Sequence, residues 1–225
     1  MIDKVAPSAL EAVADVRSGS TVLVGGFGEA GQPDNLLEAL LERDVTDLTV
    51  VCNNVGRHDY GLAGLIARGR VRKMICTYPS YPEGSAFKKR YLAGEIELEL
   101  VPQGTLAERM RAAGAGLGGF FTPTGAETEL AKGKDTREID GVVQVFERPL
   151  KGDFALVRGM AADRWGNLTY WRSQRNFNPV VAMAGTVTIA EVDRIVPLGS
   201  LDPDAIVTPG LFVQRVTACP ALIRT

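Results

Sequence analysis

Val22-Leu23-Val24-Gly25-Gly26-Phe27-Gly28-Glu29-Ala30-Gly31-Gln32-Pro33 is the stretch that decides how this chain folds. From Thr21 to Val24 it is a short apolar run rich in β-branched residues, which suits a buried strand, and Gly25-Gly26 ends it. Pro33 fits the first turn of a helix. The segment it opens, through about Glu42, places Leu36, Leu37, Leu40 and Leu41 on one face. Asp47–Cys52 is then a second apolar strand, so the unit is strand, glycine loop, helix, strand.

Working outward, the same alternation continues. Residues 7–17 read as a helix that Ser18-Gly19 stops, with Leu10, Val13, Ala14 and Arg17 at helical spacing. Downstream come helices at Leu62–Arg68, Ser85–Leu92 and Leu106–Ala113, and strands at Lys73–Cys76 and near Ile96–Val101. Apolar strands separated by helices imply a parallel sheet covered on both faces. The second half reads differently. Arg137–Leu150 alternates apolar and polar residues around Asp140-Gly141, which predicts a β-hairpin. Strands at Phe154–Arg158, Leu168–Tyr170 and Thr186–Ala190 follow with few helical patterns between them. The expected fold is α/β: an open, mostly parallel sheet flanked by helices, with a β-rich mixed C-terminal part, in a single domain spanning 1–225.

Composition narrows the function. The chain has 225 residues, 45% hydrophobic and 23% charged, the balance of an ordinary globular protein. Its net charge of −2 comes from scattered rather than clustered charges, so no nucleic-acid or anionic-membrane partner is expected. No apolar run approaches the roughly 20 residues of a membrane span. The N-terminus lacks the basic-then-apolar order of a signal peptide, and the expected location is cytoplasmic. Cys52, Cys76 and Cys219 are widely spaced in apolar surroundings and read as buried thiols, with no metal site implied. A single histidine, His58, leaves little material for a His-based triad.

Gly26-Phe27-Gly28-Glu29-Ala30-Gly31 also matches the G-x-G-x-x-G of a dinucleotide-binding turn. An NAD site, however, needs a carboxylate at the end of the second strand, and that strand ends in Cys52-Asn53-Asn54; Glu29 would in addition repel a pyrophosphate. The Rossmann reading is therefore an alternative only. Glycines still allow close backbone approach to a ligand, and the amides ahead of the Pro33 helix could bind an anionic oxygen.

The longer string from Val22 to Pro33 resembles the first signature of family I CoA-transferases. The resemblance runs on through Asn53-Asn54, Val71-Arg72-Lys73, Val101-Pro102-Gln103-Gly104-Thr105-Leu106, Gly114–Gly119, Phe121-Thr122-Pro123-Thr124-Gly125, Arg164–Tyr170, Arg175-Asn176-Phe177-Asn178 and Ile206–Gly210. The members it looks most like are the A subunits of 3-oxoacid and 3-oxoadipate CoA-transferases. The resemblance implies the ribose-5-phosphate isomerase and CoA-transferase fold and a ping-pong reaction through a glutamyl-CoA intermediate, with coenzyme A thioester as substrate and no permanently bound cofactor. It also implies a partner, the B subunit, which carries the nucleophilic glutamate in a Ser-Glu-Asn-Gly motif, and an A2B2 assembly. No such motif occurs in these 225 residues.

By the same resemblance, Gln103 is the catalytic candidate, an amide near the thioester oxygen. Asn53 and Asn54 would hydrogen-bond the acid, and Gly25, Gly26, Phe27, Gly28, Glu29, Ala30 and Gly31 would line the acyl and CoA site. Plainer readings stand beside these. Gln103 could cap a helix beginning after Gly104, Asn53 and Asn54 could be strand-end turn residues, Trp165–Tyr170 a structural turn, Arg175 and Asn176 solvated or interfacial, and His58 a loop residue. An acyl-CoA hydrolase on the same scaffold is the alternative activity. Glu127 stands where relatives commonly have glycine. If its loop borders the acyl pocket, it would disfavour dicarboxylic acids by repulsion.

Overall fold

The computed structural model describes residues 2–56, 60–79 and 85–219. Its order is α1 (Ala9–Ala12), β1 (Thr21–Val24), α2 (Asp34–Glu42), β2 (Leu48–Asn54), α3 (Gly61–Ala67), β3 (Val71–Tyr78), α4 (Ala86–Leu92), β4 (Glu97–Leu100) and α5 (Gln103–Gly114) in the first half. Then come β5 (Phe120–Thr122), β6 (Thr136–Ile139), β7 (Val142–Glu147), β8 (Gly152–Asp163), β9 (Leu168–Thr169), α6 (Asn178–Ala184), β10 (Gly185–Val196) and β11 (Arg215–Ala218).

The main sheet runs β11-β10-β8-β1-β2-β3-β4, all parallel, with β9 antiparallel on β8. Strand residues alternate between two cores, as the two-residue period of a strand requires. Val22, Val24, Val50, Cys52, Met74 and Cys76 pack under α1–α4, while Leu23, Val51 and Ile75 pack under α5 and α6. Leu36, Leu37 and Leu40 of α2 have no exposed surface, and each contributes about 1.5–3 kcal/mol by leaving water. From β1 the chain steps one way through β2, β3 and β4, and later the other way through β8, β10 and β11. Crossovers of one hand then put the helices on opposite faces, and the strand order switches between β1 and β8.

The open parallel sheet and the hairpin are as expected. Asp140 and Gly141 both have positive φ (52° and 76°), the turn that matches strand twist, and β5, β7 and β6 form a separate antiparallel sheet. Three expectations are corrected. β8 and β10 are 12-residue strands of the main sheet, longer than the Phe154–Arg158 and Thr186–Ala190 read from the sequence. Parallel neighbours need a crossover, and α6, opened by Asn178-Pro179, supplies it where no helix was expected. The 7–17 helix shrinks to α1: the Ser8 hydroxyl caps it by accepting from the Glu11 N–H (3.1 Å), and the Arg215 guanidinium takes the Ala12 carbonyl (2.9 Å) that a continuing helix would offer to Val16.

Candidate functional site

The carboxyl ends of β1, β2 and β3 and the first residue of α5 surround a cavity of about 330 Å³, lined by Phe27, Gly28, Asn53, Asn54, Thr77, Tyr78 and Gln103. Five of these are sequence candidates from three separate segments. Thr77 and Tyr78 are additions, and Gly25, Gly26, Glu29, Ala30 and Gly31 are not among the lining residues. Open α/β sheets hold ligands at the carboxyl ends of their strands, and β1, which borders the switch in strand order, supplies one wall of this cavity.

The glycine loop is fixed from three sides. Internally, Phe27 and Ala30 exchange backbone hydrogen bonds of 3.0 and 3.2 Å, leaving Gly28-Glu29 at the tip. Gly28 has φ +62°, and a Cβ there would meet open space, so the backbone conformation rather than crowding requires glycine. From β2, Asn54 accepts from the Gly28 N–H (2.9 Å) and donates to the Gly28 carbonyl (3.2 Å), which also receives Gln32 Nε2 (2.8 Å). From the α6 side, Asn176 donates to the Ala30 carbonyl (2.8 Å). Asn178, fully buried, donates to the carbonyls of Gly31 (3.0 Å) and Gln174 (2.7 Å) and accepts from the Arg158 N–H (2.9 Å). At Gly25 a Cβ would lie 1.9 Å from Asn178 Oδ1, so only glycine allows this approach.

These bonds revise the sequence reading of the loop. The N–H groups of Gly25, Phe27, Gly28 and Ala30 are all engaged, by Leu156, Ala30, Asn54 and Phe27. They do not form the open cradle a pyrophosphate needs, which removes the support for a dinucleotide site. Asn54 holds the loop, whereas Asn53 is buried on the α5 face with Oδ1 unpartnered. Asn176 serves the loop rather than solvent. Gln103 is exposed at the start of α5, where Pro102 occupies the cap position, so Gln103 does not cap a later helix. Glu127 is exposed and lies outside the described cavity lining, so the condition for its effect on dicarboxylic acids is not met there. His58 lies outside the described residues. The turn through Trp165 is held by its N–H donating to Asp163 (2.9 Å), while the Trp165 ring is exposed rather than packed.

Beneath α2 sits a buried ionic cluster. Arg158 on β8 pairs with Glu191 and Asp193 on β10. Glu191 accepts from the Leu36 N–H (3.0 Å) and from Asn35 (3.2 Å), placing a carboxylate at the helix N-terminus where the dipole favours it. Burial pushes the Glu191 carboxyl up to about 7, only partly opposed by Arg158 and these donors. Burial works against the Arg158 charge, but the Glu191 and Asp193 carboxylates outweigh it and raise that pKa. Cys52, Cys76 and Cys219 are buried free thiols. Burial raises Cys76 to about 12 and Cys219 to about 11, which keeps them protonated and unreactive. Among the described residues no cluster of His, Cys, Asp and Glu could hold a metal ion, and no helix is long and apolar enough to cross a membrane.

Comparison with known proteins bears on what this site does. A family model described as Coenzyme A transferase matches residues 7–218. The A subunit of the 3-oxoadipate CoA-transferase of Pseudomonas putida is 53% identical over 218 residues, 97% of this chain and 94% of that protein. The A subunit of a probable succinyl-CoA:3-ketoacid coenzyme A transferase of Bacillus subtilis is 48% identical over 213 residues, covering 95% and 89%. Among solved structures, an acyl-CoA transferase of Escherichia coli O157:H7 in a thioester complex with CoA superposes with a TM-score of 0.81 at 21% identity. The match covers 96% of this chain and 47% of that one, so the chain spans about half of that protein's length and shares its fold.

Proposed function

This chain belongs to the coenzyme A transferase family, and from that premise we propose that it is the A subunit of a 3-oxoacid CoA-transferase whose nucleophile comes from a separate B subunit. The observation that supports this most directly is the meeting of Phe27, Gly28, Asn53, Asn54 and Gln103 around one cavity. The absence of Ser-Glu-Asn-Gly from the sequence supports a nucleophile supplied in trans. The names of the relatives support 3-oxo acids as the substrate class.

In this reading the partner's glutamate carboxylate attacks the thioester carbonyl and CoA leaves as thiolate, giving a mixed anhydride. The thiolate then attacks the glutamyl carbonyl, releasing the first acid and leaving a glutamyl-CoA thioester. The acceptor carboxylate runs the same steps in reverse. Each attack turns a carbonyl oxygen into an oxyanion. Gln103, with an exposed amide at the positive end of the 12-residue α5, is suited to donate to that oxygen. Phe27 and Gly28 form the wall against the acyl group, held in place by Asn54, and Asn53 faces the acid.

The test is coexpression with a partner bearing Ser-Glu-Asn-Gly, followed by assay of CoA exchange between succinyl-CoA and 3-oxo acids, including 3-oxoadipate. The pair is expected to transfer CoA with ping-pong kinetics, to run as A2B2 by native mass, and to lose activity when the motif's glutamate is replaced. The isolated chain is expected to be inactive. Turnover by the chain alone overturns the reading, and release of free CoA with no acceptor acid replaces transfer by hydrolysis.

A further inference from the structure

Apolar character in the sequence stops at Cys76, but β3 continues through Thr77 and Tyr78, and both reach the cavity. Cys52 pairs with Cys76 and Asn54 with Tyr78 across the two parallel strands, so Asn53 and Thr77 stand side by side between those pairs. Two residues beyond Val51 and Ile75, they share the face those residues present to α5. Asn53 Oδ1 and Thr77 Oγ1 are both closed off from solvent and without a hydrogen-bond partner. Buried polar atoms are nearly always partnered, and an unpartnered hydroxyl in the wall of a ligand cavity marks a place where a ligand completes the bonding; the neighbouring Asn53 Oδ1 only accepts, which leaves the Thr77 hydroxyl as the donor. Rotation about the Thr77 Cα–Cβ bond exchanges the positions of its hydroxyl and methyl, and so can turn the donor to the cavity without moving the backbone.

The chemistry of that ligand group is also constrained. Among the described lining residues no side chain is charged. The oxygen seated at Thr77 is therefore not that of a carboxylate, which at this point of the wall would lose hydration without gaining a cation. A ketone oxygen is neutral and accepts only, so it fits the Thr77 hydroxyl as donor.

We propose that the Thr77 hydroxyl binds an uncharged carbonyl oxygen on the acyl chain and thereby sets a preference for 3-oxo acids over acids lacking that oxygen. This rests on the transferase reading above and goes further by naming the atoms that distinguish its substrates. Thr77→Val removes the hydroxyl and keeps the shape. Because the hydroxyl is unpartnered in the unliganded protein, its loss should leave the thermal midpoint unchanged or raise it.

The experiment uses the reconstituted pair with one acyl-CoA donor and two acceptors of equal carbon count, a 3-oxo acid and its straight-chain counterpart. The quantity read is the ratio of their kcat/KM values, in the wild type, Thr77→Val and Thr77→Ser. Thr77→Val is expected to lower the ratio about tenfold, the size of one hydrogen bond to substrate, and Thr77→Ser to restore most of it. An unchanged ratio in Thr77→Val overturns the proposal, as does a lowered thermal midpoint with an unchanged ratio, which marks a structural role. If Thr77→Val does not fold, Thr77→Ala is read by the same ratio. A wild-type pair that transfers CoA to no carboxylic acid overturns the transferase reading itself, and a pair that transfers it without the Thr77 dependence overturns only this inference.

Discussion

Gly25→Ala and Asn178→Ala should each destabilise the protein, and together should cost less than their sum. An added methyl at Gly25 sits 1.9 Å from Asn178 Oδ1 and 2.7 Å from its Cγ, an overlap that Asn178 cannot relieve without breaking its own bonds. Overpacking of this kind costs about 2–3 kcal/mol. Truncating Asn178 instead leaves the Arg158 N–H and the carbonyls of Gly31 and Gln174 without their partner. At roughly 1–3 kcal/mol for each stranded buried group, and with water admitted to part of the gap, the loss is about 3–5 kcal/mol. In the double variant the atoms that the new methyl strikes are gone, so the cost should match Asn178→Ala alone and the coupling should be about 2 kcal/mol. Equilibrium urea unfolding reads this as a midpoint roughly 1 M higher than additivity gives, with slopes compared to verify that all four proteins unfold alike. Additivity within about 0.5 kcal/mol would refute the close approach on which the loop geometry depends.

Gln103→Ala in the reconstituted pair should lower kcat about a hundredfold while changing KM for the acid less than threefold, as expected for a donor that acts on the developing oxyanion; unaltered turnover removes that role. For Glu191, whose folded pKa of about 7 lies above the ordinary 4.5, the folded state binds the proton more tightly. Its contribution to stability therefore falls as pH rises from about 4.5 to 7, by about 1–3 kcal/mol. Glu191→Gln should flatten that part of the stability profile, and an unchanged slope between the two proteins rejects the assignment. Glu127→Gly should leave the preference between mono- and dicarboxylic acceptors unchanged, since Glu127 is exposed and outside the described cavity lining; a shifted preference places its loop at the acid after all.

The parallel half of the fold is legible because its signals are local: apolar strands, amphipathic helices and a Pro33 start. What escapes the sequence depends on partners far along the chain. Arg158 and Glu191 put charges inside β8 and β10, which reads as half-exposed strand until each is seen to neutralise the other. The run Asn178–Ala184 is short and contains two adjacent valines, which masks the start signal of Pro179. Asn178 reads as an ordinary helix-start residue, and nothing nearby announces that its amide reaches the glycine loop. The site itself is half legible. Apolar character stops at Cys52 in β2 and at Cys76 in β3. In both cases the strand runs two residues further, and those polar residues, Asn53-Asn54 and Thr77-Tyr78, form the cavity wall. A strand that enters a binding site gives up its apolar pattern there, so pattern alone trims away the functional end.

The tie from Asn178 to Gly31 spans 147 residues of chain, and that separation sets an order of events during synthesis. At about 5–20 residues per second on the ribosome, the glycine loop emerges roughly 7–30 s before the asparagine that fixes it. Strands β1 to β4 can pair with one another early in that interval, whereas β8 emerges only near its end and α6 after it. The newborn chain therefore carries an unset loop and an unpaired edge of β1 for many seconds. Slow codons or a chaperone acting after residue 178 has cleared the exit tunnel would come too late to protect that edge, whereas help during the preceding interval would bear directly on yield.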